Sequence, residues 1–233
     1  MYNKTIKIVS IFLLIFWLVI SAIWYYNPTS LLNVKYTTDL DLSELKEPHL
    51  IIASHYYNTV DAMIMCGESR KTKNTVNIVA EFNMSNRKDL YNQFWKSFPI
   101  YTSYRKINLY KGYKNNLVER SVKLLEKGEH VLMYLNDKNK SKGIYHILKS
   151  FNDNATSAGT REGTSDNATI PILFVKIYRK DQDLEKERLD NDFVKSFYGK
   201  EFNVEYEIVK DYPIKEEPED FMKWVKERLY IKN

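Results

Sequence analysis

Apolar residues are spread very unevenly along the chain. Residues 8–26 read IVSIFLLIFWLVISAIWYY, 19 positions without a charge. At a helical rise of about 1.5 Å per residue this run reaches roughly 30 Å, the thickness of a bilayer's hydrocarbon core. Lys4 and Lys7 flank one end. Trp24, Tyr25 and Tyr26 stand at the other, where aromatic rings favour the membrane interface. The rival reading is a signal peptide cleaved near Ser21-Ala22, but its apolar core is long and the bulky Ile20, Ile23 and Trp24 suit cleavage poorly. The pattern predicts a retained single-pass transmembrane helix within an N-terminal anchor, residues 1–30. Its orientation stays open. Lysines precede the span, and Lys35, Asp39, Asp41 and Glu44 follow it, which favours a cytoplasmic N-terminus. Sequons at Asn83, Asn139, Asn154 and Asn167 are compatible with a lumenal or extracellular main domain.

Residues 31–233 suit one domain with a proper core. His49–Ser54 (HLIIAS), Val76–Ala80, Val131–Leu135 and Ile170–Tyr178 (IPILFVKIY) read as strands mostly buried on both faces. Asn203–Val209 alternates and reads as a half-exposed strand. Tyr113–Lys127 places Leu117, Val118, Ser121, Val122 and Leu125 on one helical stripe, with Gly128 as terminator. Pro218 opens a last helix with Glu219 and Asp220 in its first turn and Phe221, Trp224, Val225 and Leu229 on its apolar face. Residues 151–169, polar and containing DNAT twice, read as a surface loop. Strands alternating with helices predict an α/β sandwich.

Composition removes several chemistries. Seven glycines in 233 residues is about 3%, against an average near 7%, and neither GxGxxG nor GxxxxGK occurs. The single Cys66 excludes an internal disulfide framework and a cysteine-based zinc site. His49, His130 and His146 lack partners at ligand spacing, which argues against a metal. A net charge of +5 from 35 basic and 30 acidic residues is too balanced to predict a nucleic-acid partner.

The stretch HLIIASHYYNTVDAMIM carries the most chemistry. A buried strand ends at Ser54, His55 follows at its carboxyl end, and Asp61 opens an apolar helix six positions later. Ligand and catalytic groups of open α/β sheets collect at that end of the strands. A neutral imidazole there accepts a proton from a substrate hydroxyl when a carboxylate fixes its tautomer and stabilises the resulting imidazolium. The structural alternatives are a helix-start capping box over Asn58–Asp61 and a packed histidine satisfied by backbone.

The order of these segments resembles that of membrane-bound glycerophospholipid acyltransferases of the lysophosphatidic acid acyltransferase type, over roughly residues 45–180. The match rests on the hydrophobic N-terminus, the His–Asp segment, RKINLYKGYKNNLVERSVKLLEKGEHVLMYLNDKNKS as second and third blocks, and TIPILFVKI as the fourth. The resemblance implies a mixed, mostly parallel sheet flanked by helices. It makes His55 the general base and Asp61 its orienting carboxylate. Lys111 falls where the family holds an acceptor phosphate, Asp137, Lys140 and Ser141 match its third block, and Arg105 is a further candidate for the phosphate.

The implied activity is O-acyl transfer from acyl-CoA, a co-substrate, to a lysophospholipid or glycerol-phosphate hydroxyl at a membrane, with no cofactor. The alternative is a catalytically inactive, membrane-anchored lipid-binding or scaffold protein. An anchored hydrolase lacks a nucleophile, since no G-x-S-x-G occurs and Cys66 has no obvious histidine partner.

Three departures mark the chain as divergent. Five residues, not four, separate His55 and Asp61. On one regular helix that spacing turns them about 120° apart, against about 40° for the usual spacing, so a loop or bulge must intervene. Asn58 is the substitute partner. Ser54 stands where the family has Asn. Glu-Gly-Thr is missing after VLMYL, and Glu162-Gly163-Thr164 occurs only in the polar loop. Arg70, Lys71, Lys73, Lys106 and Lys114 complete a set of cations that gather lipid headgroups or simply solvate the surface.

Overall fold

The segment Leu50–Ser54 has no polar side chain before its last residue. In the computed structural model it is a fully buried strand with a parallel partner on each side. The structure describes residues 9–19, 22, 29, 32–54, 59–80, 107–111, 116–135, 142–157, 169–179 and 199–229. Among them the elements run β1 (Asn33–Tyr36), a 3-10 turn (Leu42–Glu44), β2 (Leu50–Ser54), α1 (Thr59–Ser69), β3 (Val76–Ala80), β4 (Ile107–Lys111) and α2 (Leu117–Glu126). They continue with β5 (His130–Leu135), α3 (Gly143–Ser157), β6 (Ile172–Tyr178), β7 (Glu201–Val209) and α4 (Pro218–Leu229).

The strands lie in the order β1-β7-β6-β2-β5-β3-β4. β2 to β6 are mutually parallel, β7 is antiparallel to β6, and β1 is parallel to β7. This is the mixed, mostly parallel α/β sheet that the sequence predicts.

Strand alternation sorts the apolar side chains into two cores. Ile51, Ala53, Leu173, Val175 and Ile177 pack on one face with Val60, Met63 and Ile64 of α1. Leu50, Ile52, Ile172 and Phe174 pack on the other with α2, α3 and α4, where Val122, Ile147 and Phe221 are buried. A sheet covered on both faces explains why its central strands are nearly continuous apolar runs.

α2 stops as its sequence predicts. Gly128 adopts φ 82°, its N–H bonds the Leu125 carbonyl, and the Glu129 N–H bonds that of Leu124, each at 3.0 Å. That pair of bonds is the Schellman closure, which needs a residue tolerant of positive φ. The loop expected over residues 151–169 is corrected over its first part, because α3 continues to Ser157. Ile144, Ile147, Leu148 and Phe151 form an inward stripe at helical spacing that carries the polar Asn152 and Asp153 along.

Residues 9–19 are helical, and Val9 and Ile11 to Val19 are all exposed. Of the rest of the expected anchor only residues 22 and 29 are described, and among the described residues no helix is long and apolar enough to cross a membrane.

Two histidines thought partnerless on spacing meet at the amino ends of β2 and β5. His130 Nδ1 accepts the His49 backbone N–H at 3.1 Å, and His49 Nδ1 lies 2.7 Å from the Glu47 carbonyl. A carbonyl only accepts, so His49 carries its proton on Nδ1 and His130 on Nε2. With Nδ1 accepting, His130 does not offer Nε2 to a metal as a neutral ligand. Both rings are buried. Burial first, then the neighbouring His49, pushes the His130 pKa down to about 4. An unfolded histidine titrates near 6.5, so the unfolded state takes up the proton first on acidification. This contribution to stability is complete above about pH 7 and is lost as pH falls from about 6.5 towards 4, at a cost of roughly 3 kcal/mol. His130→Asn, whose Oδ1 replaces the accepting nitrogen, is expected to lose less stability than wild type between about pH 7 and pH 4.5 in urea titrations. Parallel losses in both proteins refute the assignment.

Candidate functional site

The strand directions decide where chemistry can gather. The five parallel strands all end at one edge of the sheet, at Ser54, Ala80, Lys111, Leu135 and Tyr178. β1 and β7, running the other way, begin there. The chain arriving from the apolar N-terminal segment therefore enters the domain, through buried Leu32, at this carboxyl edge.

The end of β2 is stitched to its neighbour. Ser54 Oγ accepts the Ile177 N–H at 2.8 Å and donates to the Ile177 carbonyl at 3.3 Å. A short hydroxyl thus sets the level from which the chain proceeds to His55. His55 and Asn58 lie outside the described residues, as do Arg105, Asp137, Lys140, Ser141 and Glu162. β5 lies directly beside β2, so Asp137 and Lys140 follow in sequence from an adjacent strand end.

Asp61 is fully buried in the first turn of α1, on the helix that packs behind β2. Among the described residues the helix runs from Thr59 and holds Asp61 in its first turn. A helix's first turn favours negative charge by about 0.3–1 kcal/mol at the surface and up to about 2 when partly buried. Taking a carboxylate wholly out of water costs several kcal/mol per ion.

Lys111 is the last residue of β4, at the register level of Ala80, Tyr134 and Ala53. β4 stands three strands from β2, or about 14 Å at about 4.8 Å per strand. On the other side of β2 is a cation that the sequence reading passed over. Arg179, directly after β6, is only 7% exposed, and β6 neighbours β2. The signal was available, because Arg179 ends the buried run ILFVKIY as His55 ends LIIAS.

Other candidates separate from this edge. Lys71 bonds Glu68 at 2.9 Å and lies over the Tyr36 ring at 4.5 Å, both at the opposite, amino edge. Arg70 and Lys73 sit on the same turn, so this trio cannot serve a site at the carboxyl ends. Glu68 is itself buried and accepts the hydroxyls of Tyr36 and Tyr206, whose pKa values are raised by burial and by that carboxylate. Lys176 is neutralised by Glu205 at 2.9 Å and Glu207 at 3.7 Å. Burial pushes the Cys66 thiol up to about 11, which removes it as a nucleophile. Among the described residues no group of three or more His, Cys, Asp or Glu could hold a metal.

Compared with known proteins, the chain matches no family model and no curated sequence.

Asp61→Asn separates a functional carboxylate from a structural one. Removing a charge whose burial is costly is expected to leave the melting temperature within about 3 °C of wild type, or to raise it. A fall of about 10 °C or more identifies Asp61 as a structural ion whose partner has been stranded.

Proposed function

We propose that the protein is a membrane-associated acyltransferase that uses His55 as general base and Asp61 to orient it. The observation that carries this reading is the fully buried Asp61, in the first turn of the helix that follows β2, at the carboxyl edge of a parallel sheet. Two further features support it. The segment order resembles glycerophospholipid acyltransferases, and the apolar N-terminal segment joins the domain at the edge where β2 ends. A transmembrane helix completed within residues 1–30 would hold that edge near the bilayer, where amphiphilic acceptors reside.

In the proposed reaction the imidazole of His55 takes the proton of an acceptor hydroxyl. The oxygen attacks the thioester carbonyl of acyl-CoA, and a C–O bond forms as the carbonyl becomes an oxyanion. Collapse breaks the C–S bond, and the CoA thiolate leaves with the proton returned by the imidazolium. Asp61 stabilises that imidazolium and fixes the tautomer beforehand. Acyl-CoA and the acceptor supply all the reacting atoms, and the scheme requires no cofactor.

The full chain in lipid nanodiscs, given labelled acyl-CoA and lysophosphatidic acid or other lysolipids, is expected to form the diacyl product. His55→Ala should lower the rate at least about a hundredfold while leaving thermal unfolding unchanged. A folded wild-type protein that acylates no acceptor, yet binds lysolipid, would favour the non-catalytic lipid-binding alternative.

A further inference from the structure

At the amino edge the segment leading into β2 is tied to β5 through a histidine that accepts a hydrogen bond on its only basic nitrogen. We propose that His49 and His130 form an acid-released latch, in which a proton on His130 frees residues 46–49 from β5 while the sheet behind them stays folded. The proposal is independent of the transferase reading.

The tautomers decide where the proton goes. His130 accepts the His49 N–H on Nδ1 at 3.1 Å and carries its own hydrogen on Nε2. A second proton therefore enters at Nδ1, where it meets the His49 N–H donor against donor, and the bond cannot persist. His49 differs. Its Nδ1 hydrogen already serves the Glu47 carbonyl, so its second proton enters at Nε2. Both Nε2 atoms are buried, and neither has a hydrogen-bond partner among the described residues. The ring centroids lie 5.6 Å apart, so a charge on one ring opposes a charge on the other.

The charged groups around the pair are engaged with other partners. The Glu47 carboxylate bonds Lys210 at 2.8 Å, and of these two Glu47 favours a charged His49 while Lys210 opposes it. Beside β5 and β3, Glu129 accepts Asn77 Nδ2 at 2.6 Å. From α1, Glu68 is taken up by Tyr36, Tyr206 and Lys71. Arg70 and Lys73 on the following turn, and Lys46 before β2, are cations themselves. β6 brings Pro171 and Ile172, which do not titrate. Burial, ahead of the neighbouring His49, holds the His130 pKa down to about 4, and burial lowers that of His49 as well.

The released piece is small. Between the buried Leu45 and Leu50, Lys46 and Glu47 are exposed, Pro48 is half-buried, and only His49 is buried. Inward of the latch, the Val131 N–H bonds the His49 carbonyl and the Leu50 N–H bonds the Pro171 carbonyl, each at 3.1 Å. Beyond them the β2 ladders begin, between two apolar cores. Swinging out residues 46–49 therefore uncovers both imidazoles without opening either core.

Native-state hydrogen exchange of the full chain in lipid nanodiscs tests the latch. A ring that titrates near 6.5 when released and near 4 when closed lowers the protection of the His49 amide roughly thirtyfold between about pH 7.5 and pH 5, after correction for intrinsic exchange. That exchange should be nearly insensitive to low urea, whereas the Ile52 and Leu132 amides follow the steep slope of global unfolding. His130→Asn, whose Oδ1 accepts the same N–H without titrating, should keep the neutral protection and abolish the acid response. His49→Gln should keep most of that response. The imidazole nitrogen shifts of wild type read the tautomers directly and need no variant. A His130 hydrogen on Nδ1 at neutral pH, an unchanged His49 amide in acid, or a urea slope there equal to that of Ile52 overturns the proposal. So does an acid response that survives His130→Asn and disappears in His49→Gln.

Discussion

Most of what can happen in this molecule follows from β2 having a parallel neighbour on each side. Its five residues are buried on both faces, so every backbone N–H and C=O along them must find its partner in the ladder. A slip of one residue would exchange Ile51 and Ala53 for Leu50 and Ile52 between two differently shaped cores. Parallel neighbours also forbid tight hairpins, and the chain must return over a face of the sheet. Those returns supply α1 on one side and α2 and α3 on the other. The same constraint brings five strand ends to one edge and leaves the crossover turns at the other.

The fold was legible where the core is thickest. Leu50–Ser54, Val76–Ala80 and Ile172–Tyr178 are runs with few polar interruptions, and a run of that length between turn signals has few alternatives to a buried strand. β1 and β4 were missed because NVKY and INLYK are short, mixed in polarity and placed at the two ends of the order of the described strands. The first part of the expected loop, from Phe151 to Ser157, failed for a different reason. Local composition there is polar, but the stripe begun by Ile144 holds the backbone in a helix.

The site was partly legible. Asp61 stood out because an acidic residue opens an apolar helix there, and the structure places it buried in the first turn of α1. The approach of His49 to His130 could not be read from spacing, because 81 residues separate them and only the β2–β5 register brings them together. Arg179 was passed over for a similar reason. Its proximity to β2 depends on β6 rather than β4 being the neighbour, and strand order is not written in any one segment.

Buried polar groups are handled differently at the two edges. At the amino edge Glu68 is surrounded by donors from β1, β7 and the turn after α1, and His49 and His130 avoid charge altogether. That arrangement joins β1, β7 and the turn after α1 through one buried carboxylate. At the carboxyl edge Asp61 and Arg179, of opposite sign, are both withdrawn from water. Two apolar residues of similar volume would stabilise a sheet end at least as well as such ions do. Burial of a charge at that edge is therefore weak evidence for stability, and Asp61 is the residue to which the proposed His–Asp chemistry would give a use.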